Sequence, residues 1–247
     1  MTNERRRHLR HRHRVLAQLR HDPRTLALLI LVPALLMTLL RFLFDARPAS
    51  FDAVGAPLLG LFPLISMFLV TSITVLRERT TGTLERLLTM PLAKLDLLAG
   101  YGLEFALMAT LQAFAVSAVS FGLLGLDTAG SAWLVGALAV ANAILGMALG
   151  LFVSAFAATE FQAVQFLPAF LLPQLLLCGL FVPREQMADI LGAVADGLPL
   201  TYAYDALDRV AADGALGGGG ALDVAVILAT TALALGLGAA TLRRQTA

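Results

Sequence analysis

The chain of 247 residues is 58% hydrophobic and 14% charged, and its mean hydropathy is +0.81. Soluble domains carry about 25% charged residues, so this composition excludes a soluble globular protein and indicates an integral membrane protein. The formal net charge of +1 gives no reason to expect a nucleic-acid partner.

Residues 1–24 form a basic segment in which apolar residues are spaced among eight arginines, and Pro23 ends the pattern. This arrangement predicts an amphipathic helix on the cytoplasmic membrane surface, where the arginines bind anionic lipid. A disordered basic tail is the alternative. All four histidines lie here as well, but neighbouring arginines would repel a cation, so no metal site is expected.

Six apolar runs are long enough to cross about 30 Å of hydrocarbon, which takes about 20 helical residues. They lie at 25–40 (extendable to 44), 53–76, 105–126, 128–159, 161–183 and 224–242. The runs are apolar all round and too long for barrel strands. The predicted fold class is therefore all-α, with one six-span membrane domain over residues 25–242 and a short tail at 243–247.

Basic residues lie mostly on one side of the predicted spans. Of the 18 lysines and arginines, 14 precede the first span, separate the second from the third, or follow the last. Positively charged loops stay in the cytoplasm, so both termini are predicted to be cytoplasmic and the segment at 184–223 external. The first span is too long for the apolar part of a signal peptide, and it is expected to stay uncleaved in the cell membrane.

The loop between the second and third spans, residues 77–96, carries the most distinctive pattern of the chain. It follows Leu76 and reads Arg-Glu-Arg-Thr-Thr-Gly-Thr-Leu-Glu-Arg-Leu-Leu-Thr-Met-Pro up to Pro91. Gly82 interrupts the preceding helix, Thr83 can cap a new one, and Pro91 ends it after about two turns. The pattern predicts a short helix at the edge of the membrane.

This short helix has one apolar face. Leu84, Leu87 and Leu88 are spaced i, i+3 and i+4, so their side chains share that face. Glu85 lies in the first turn, where its negative charge suits the helix dipole, and Arg86 faces elsewhere. Such a helix can dock on a partner, and an ordinary amphipathic loop between two spans is the alternative interpretation.

The loop resembles the first cytoplasmic loop of type 2 ABC export permeases, whose members carry a run similar to Glu-Arg-Glu-x-Gly-Thr-Leu-Glu-x-Leu-Leu-x-Thr-Pro. The matching positions are Glu78, Arg79, Gly82, Thr83, Leu84, Glu85, Leu87, Leu88, Thr89 and Pro91. One additional threonine precedes Gly82, and Met90 separates Thr89 from Pro91. The resemblance implies that the chain is the membrane permease of a transporter.

The resemblance further implies that a separate cytoplasmic ATP-binding subunit receives this loop in a surface groove, by helix-in-groove recognition. The expected coupling residues are Glu78, Arg79, Gly82, Thr83, Leu84, Glu85, Arg86, Leu87, Leu88 and Pro91. The chain has no Gly-x-x-x-x-Gly-Lys-Ser/Thr motif, so ATP and magnesium are expected in the partner, with no cofactor and no enzymatic activity in this chain. Six spans enclose too little for a pathway, and a second copy of the permease is expected to complete it.

The external segment at 184–223 mixes apolar and acidic residues in a partly helical pattern, with Pro199 as a break. This pattern predicts short helices at the outer leaflet. The run Pro199, Leu200, Thr201 and Tyr202 resembles the Asn-Pro-Leu-Thr-Tyr-x-x-x-Ala element that precedes the last span in the same permeases, although Leu198 replaces the usual Asn.

Two carboxylates near the cytoplasmic side are further candidates. Glu104, near the inner end of the third span, is the clearest ionisable residue within the hydrocarbon, which marks a functional candidate. It is expected either to pair with Arg77, Arg79 or an arginine of the N-terminal helix, or to link the coupling loop to the pathway. Glu160 lies in the next cytoplasmic turn and is a possible second contact with the ATP-binding subunit.

Three smaller features have simple interpretations. Cys178 is the only cysteine and lies within the fifth span, so neither an intrachain disulfide nor a thiolate metal site is expected. Gly146 and Gly150 permit close helix packing within one subunit, or between subunits as the alternative. The four glycines at 217–220 are interpreted as a flexible entry to the last span.

The sequence therefore predicts the permease subunit of an ATP-driven exporter of an amphiphilic substrate, either a drug or a lipid-like or polyketide-like molecule, which the sequence does not name. An ion-coupled secondary transporter or channel is the alternative, but it would use rows of intramembrane ionisable residues. An intramembrane enzyme would need a nucleophile and a base at membrane depth, and no histidine lies there.

Overall fold

A computed structural model describes residues 23–81 and 94–241. This part of the chain is almost entirely helical and contains no strand. The helices are α1 (Pro23–Leu43), α2 (Pro48–Thr80), α3 (Lys94–Gly122), α4 (Ala132–Ser154), α5 (Glu160–Phe166), α6 (Leu172–Leu177), α7 (Asp189–Ala195), α8 (Pro199–Asp213) and α9 (Gly217–Thr241). A π-helical turn, Leu167–Leu171, joins α5 to α6, and a 3₁₀ turn, Arg184–Gln186, precedes α7.

Within residues 23–81 and 94–241, five apolar helical stretches are long enough to cross a membrane. They are Pro48–Thr80, Gly102–Gly122, Ala132–Ser154, Glu160–Leu177 and Gly217–Gly238, and the apolar part of α1, Ala27–Leu43, is slightly shorter. These stretches correspond to the six predicted runs. The predicted all-α membrane fold is confirmed, and the chain is a multi-pass membrane protein.

Helices α2 and α4 form the centre of the bundle, and glycines allow their close approach. A Cβ atom at Gly146 would overlap the carbonyl oxygen of Leu64, and one at Gly150 would overlap that of Phe68. Since lipid is as apolar as a leucine side chain, such close van der Waals packing is what holds membrane helices together. The Gly-x-x-x-Gly motif therefore serves packing within one subunit, as predicted.

The fifth span is interrupted where two prolines lie close together. Pro168 and Pro173 have no backbone N–H to donate, and the chain forms the π-helical turn between them. The helix then ends at Leu177, before the end of the predicted apolar run. Cys178 follows as a fully buried residue, and its Sγ lies 3.2 Å from the carbonyl oxygen of Leu175.

The segment at 184–223, which is predicted to be external, contains α7, α8 and the start of α9. Helix α8 packs against α2, α4 and α9, and its buried residues include Leu200, Ala203 and Leu207. The prediction of a flexible glycine entry to the last span is wrong, because residues 217–220 form the first turn of α9. Here the absence of side chains allows the Arg209 guanidinium to lie 3.0 Å from the position of a Cβ at Gly219.

Candidate functional site

Most of the predicted coupling residues lie outside the described part of the chain. These are Gly82, Thr83, Leu84, Glu85, Arg86, Leu87, Leu88 and Pro91, and the arginines of residues 1–22 and the tail at 243–247 lie outside it too. The predicted domain limits and the surface helix stay predictions. Glu78 and Arg79 are described, as are the helix ends that flank the missing segment.

Helix α2 ends just before the predicted coupling segment. The Thr81 N–H donates to the carbonyl oxygen of Arg77 at 2.9 Å, and the hydroxyls of Thr80 and Thr81 donate to the same oxygen at 3.1 and 2.9 Å. The last carbonyls of a helix have no partner in a following turn. The Arg77 carbonyl already accepts the Thr81 N–H, so the two hydroxyls add to that bond and help to hold the last turn of α2 in place.

Arg77 joins the end of α2 to the start of α5. Its Nε and Nη2 donate to the two carboxylate oxygens of Glu160 at 2.9 and 3.1 Å. Two parallel bonds fix the orientation as well as the distance of the two groups. Glu160 is the first residue of α5, where its negative charge also suits the helix dipole.

Arg79 joins the same helix end to α4. Its Nη1 donates to the carbonyl oxygen of Ser154, the last residue of α4, at 2.6 Å. A cation at the C-terminal end of a helix is favourable because unsatisfied carbonyls concentrate partial negative charge there. Arg77 and Arg79 therefore reach the two ends of one connection, residues 155–159.

The connection at 155–159 is itself well ordered by local bonds. The Thr159 hydroxyl accepts from the backbone N–H of Gln162 at 3.2 Å, and the Gln162 side-chain oxygen accepts from the N–H of Ala158 at 2.8 Å. This reciprocal arrangement is a variant of the capping box.

A small apolar cluster lies beneath the connection. Buried Leu76, Ala157 and Ala163 form it, with Ile73 and Phe166 packed against them. We use the name inner clamp for this cluster together with the Arg77–Glu160 pair and the bond from Arg79 to Ser154. The inner clamp makes the end of α2, the connection and the start of α5 one packed unit.

Glu104 does not pair as the sequence suggested. It is partly buried on α3, and the charge that acts on it among the described residues is Glu78, another acid. The prediction that Arg77 or Arg79 pairs with it is wrong, because Arg77 binds Glu160 and Arg79 binds the end of α4. A partner from the N-terminal segment, outside the described residues, stays a prediction.

The external motif joins α7 to α8. Pro199 is the first residue of α8, a position that needs no N–H donor. The Thr201 hydroxyl donates to the carbonyl oxygen of Ala195 at 2.7 Å, and the Tyr202 hydroxyl donates to that of Asp196 at 2.6 Å. These two side chains thus satisfy carbonyls at the end of α7.

Arginines also hold the outer end together. Arg184 donates to Asp196 at 3.2 Å and to Asp205 at 2.6 Å, and Arg209 donates to Asp223 at 3.0 Å. Burial raises the pKa of Asp205 from its ordinary value to about 6, while the Arg184 charge opposes that rise. We use the name outer network for these five residues.

Asn142 is a buried amide that the sequence analysis missed. The Asn142 Nδ2 on α4 donates to the backbone carbonyl of Ala203 on α8 at 2.9 Å, and the side chain is fully buried. A lone amide in the middle of an apolar run was the available signal, because a buried polar group needs a partner. The described residues hold no group of three or more metal-ligating side chains.

Comparison with known proteins places these features in context. The family model for the ABC-2 type transporter matches residues 12–210. The "Probable multidrug ABC transporter permease YbhR" of Escherichia coli strain K12 is 32% identical over 130 residues, which are 53% of this chain and 35% of that relative. The protein of the same name from Escherichia coli O157:H7 gives the same values. The match thus spans about a third of the relatives' length.

Proposed function

The chain belongs to the ABC-2 type transporter family, and from this membership we propose that it is the membrane permease of an ATP-driven exporter. Members of this family are transport subunits and not enzymes. A separate ATP-binding subunit would hydrolyse ATP with magnesium and dock on residues 84–89. The substrate would be an amphiphile. Many drugs are amphiphiles, and the Escherichia coli relatives are named as probable multidrug permeases.

The observation that supports this proposal most directly is the ending of α2. The helix ends at Thr80, directly before the segment whose sequence matches the coupling loop of type 2 permeases. The inner clamp fixes this helix end against two other spans. A docking segment that continues from this helix end would therefore be connected to both of those spans.

The proposed membrane orientation is based on the charge pattern, and the proposed second copy of the permease is based on the size of the bundle. Both termini and residues 82–93 would face the cytoplasm, where the basic N-terminal segment would lie on anionic lipid. A second copy of the permease would complete the pathway, because six spans enclose too little for one. The exposed leucines of α1, such as Leu28, Leu31 and Leu35, would then face lipid or that second copy.

The docking proposal can be tested by replacing Leu87 and Leu88 together with Asp. Two charges cannot enter an apolar groove without a cost of several kcal/mol, so the variant should remain in the membrane but no longer co-purify with the ATP-binding subunit. The matched control is Leu123→Asp, since Leu123 is 81% exposed in the connection after α3. Co-purification at the wild-type level by the double variant would refute docking through this face.

A further inference from the structure

The inner clamp connects the proposed coupling segment to two spans that do not carry it. Arg77 and Arg79 lie in the last turn of α2 and bind the start of α5 and the end of α4. Two residues apart on a helix, their side chains leave in different directions. Because they contact both ends of the connection at 155–159, a rotation of α2 that keeps these bonds would also move that connection.

The exposure of the pair argues against a role in stability. The Arg77 and Glu160 side chains are 62% and 51% exposed, and exposed ion pairs contribute little to folding. The two parallel bonds nevertheless set the orientation of α5 relative to α2. A contact that orients strongly and stabilises weakly suits an element that has to move as a unit.

The helix beyond the clamp is suited to carry such a movement. Past Phe166 the chain forms the π-helical turn, and π turns in helices are frequent at functional sites. Phe170 in this turn stacks on Phe68 of α2, with ring centroids 6.3 Å apart. The span continues through α6 to Arg184 of the outer network. One span thus runs from the inner clamp to the outer end.

We propose that the inner clamp transmits movement of the coupling segment to α4 and α5, with Arg77 and Glu160 as positioning residues for transport. This inference rests on the proposed function. It also gives Glu160 a role within the permease, while the predicted contact of Glu160 with the ATP-binding subunit stays a prediction. Arg77 and Glu160 are 83 positions apart and lie on different helices. The charges of the two residues can therefore be exchanged in a double variant.

The test uses the full permease purified with its ATP-binding subunit and a fluorophore on a cysteine introduced by Ala188→Cys. Ala188 is an exposed residue directly before α7, while Cys178 is buried and does not compete for label. Addition of a non-hydrolysable ATP analogue should change the fluorescence of the wild-type complex. R77E and E160R should each reduce this change at least fivefold, and R77E/E160R should restore at least half of it.

Two further readouts separate transmission from assembly. Each variant should retain the ATP-binding subunit and keep its thermal midpoint, and R47E, an exposed arginine at the other end of the bundle, should keep the full fluorescence change. If the wild type fails to retain the subunit, the proposed function fails. If retention is normal but the single variants keep the full signal, or the double variant does not regain it, the inference alone is overturned.

The clamp can also be examined in the isolated permease, without the ATP-binding subunit. Spin labels on cysteines introduced at the exposed positions Thr80 and Ala158 should show short-range dipolar broadening. The broadening should fall in R77E and return in R77E/E160R. Broadening that is unchanged in R77E would overturn the inference, because the pair would then not hold α2 against the connection.

Discussion

Arginines hold both ends of the helix bundle, but they do so in different surroundings. At the outer end, the Arg184 and Asp205 side chains are 26% and 13% exposed, and at the inner end those of Arg77 and Glu160 are 62% and 51% exposed. Removing one partner of a buried pair leaves an uncompensated charge, whereas an exposed charge is simply hydrated. An arginine–carboxylate pair therefore stabilises the outer end, whereas the pair at the inner end mainly sets the orientation of the helices.

The apolar packing is also more extensive at the outer end than at the inner end. Helix α8 of the outer end contributes Leu200, Ala203 and Leu207 to the large central core, and Asn142 adds a buried bond to its backbone. The inner clamp contains a separate, smaller cluster of three buried residues. The outer end is thus the more extensively packed of the two, as expected of a support for the movement proposed for the inner clamp.

The largest expected effect concerns which end faces the outside. Cysteines introduced at Ala188 and Ala215, both exposed at the outer end, should react with a membrane-impermeant reagent in intact cells. One introduced at Thr2 should react only after the membrane is opened, because the positive charge of the arginine-rich segment predicts a cytoplasmic location. The reverse labelling would show that the opposite end faces the outside, and the proposed docking of a cytoplasmic subunit on residues 84–89 would then be wrong.

Arg184→Ala should give the next largest effect, at the outer end. It leaves the Asp205 carboxylate, which is 13% exposed, without its cation, at a cost of about 1–3 kcal/mol. The thermal midpoint should fall by about 5 °C. Adding Asp205→Asn should recover most of the loss, since no buried charge is then left unpaired. No recovery would show that Arg184 acts through another contact.

A smaller effect should appear with pH, again at the outer end. Burial raises the pKa of Asp205 to about 6, with Arg184 and Arg209 opposing the rise and Asp223 and Asp208 adding to it. The unfolded value of this pKa is about 3.9. Because the folded-state pKa is higher, the carboxyl contributes stability that is fully present below about pH 3.9. This contribution is lost as the pH rises through the folded-state pKa. Between about pH 5 and about pH 7.5, the thermal midpoint should therefore fall.

The control for this pH dependence is an acid outside the outer network. Asp205→Asn should remove about 2–4 °C of the fall in midpoint, a size that allows for partial hydration of the carboxyl. Asp189→Asn, an exposed acid at the start of α7, should leave the fall unchanged. An equal effect of the two substitutions would show that overall charge, and not the buried carboxyl, causes the dependence.

The smallest effect on stability should come from the inner end. Arg77→Ala should change the free energy of unfolding by less than about 1 kcal/mol, because both members of the pair are well hydrated. The thermal midpoint should stay within about 2 °C of wild type. A loss as large as that of Arg184→Ala would erase the difference between the two ends, and differential scanning fluorimetry of the two purified variants decides between these results.

Local patterns predicted much of this fold. Long apolar runs have one stable conformation in hydrocarbon, because every backbone polar group must be bonded within the segment, so the six spans were predictable. The glycine pair on α4 was predictable for a similar reason, since only small residues permit such approach. The glycines at 217–220 were misinterpreted because their composition suggested flexibility, whereas they form the first turn of α9, where Gly219 lies against the Arg209 guanidinium.

The site was less predictable because its contacts are long-range. Nothing in the local sequence shows that Arg77 meets Glu160, 83 residues away, or that Asn142 meets the backbone of Ala203. The pairing of Glu104 with Arg77 or Arg79 was wrong for the same reason, because these two arginines bind Glu160 and the end of α4 instead. The motif at 84–91 was found from its resemblance to a family, and it stays a prediction.

The central claim, that ATP hydrolysed by a separate subunit drives this permease, is tested most directly by transport in reconstituted vesicles. The permease would be purified together with the ABC ATP-binding subunit that assembles with it, and the movement of a panel of fluorescent amphiphiles would be followed. We predict movement that requires both ATP and the subunit and that falls to background when Leu87 and Leu88 are replaced with Asp. Movement by the permease alone, driven by a proton or sodium gradient without ATP, would contradict the account and indicate an ion-coupled transporter.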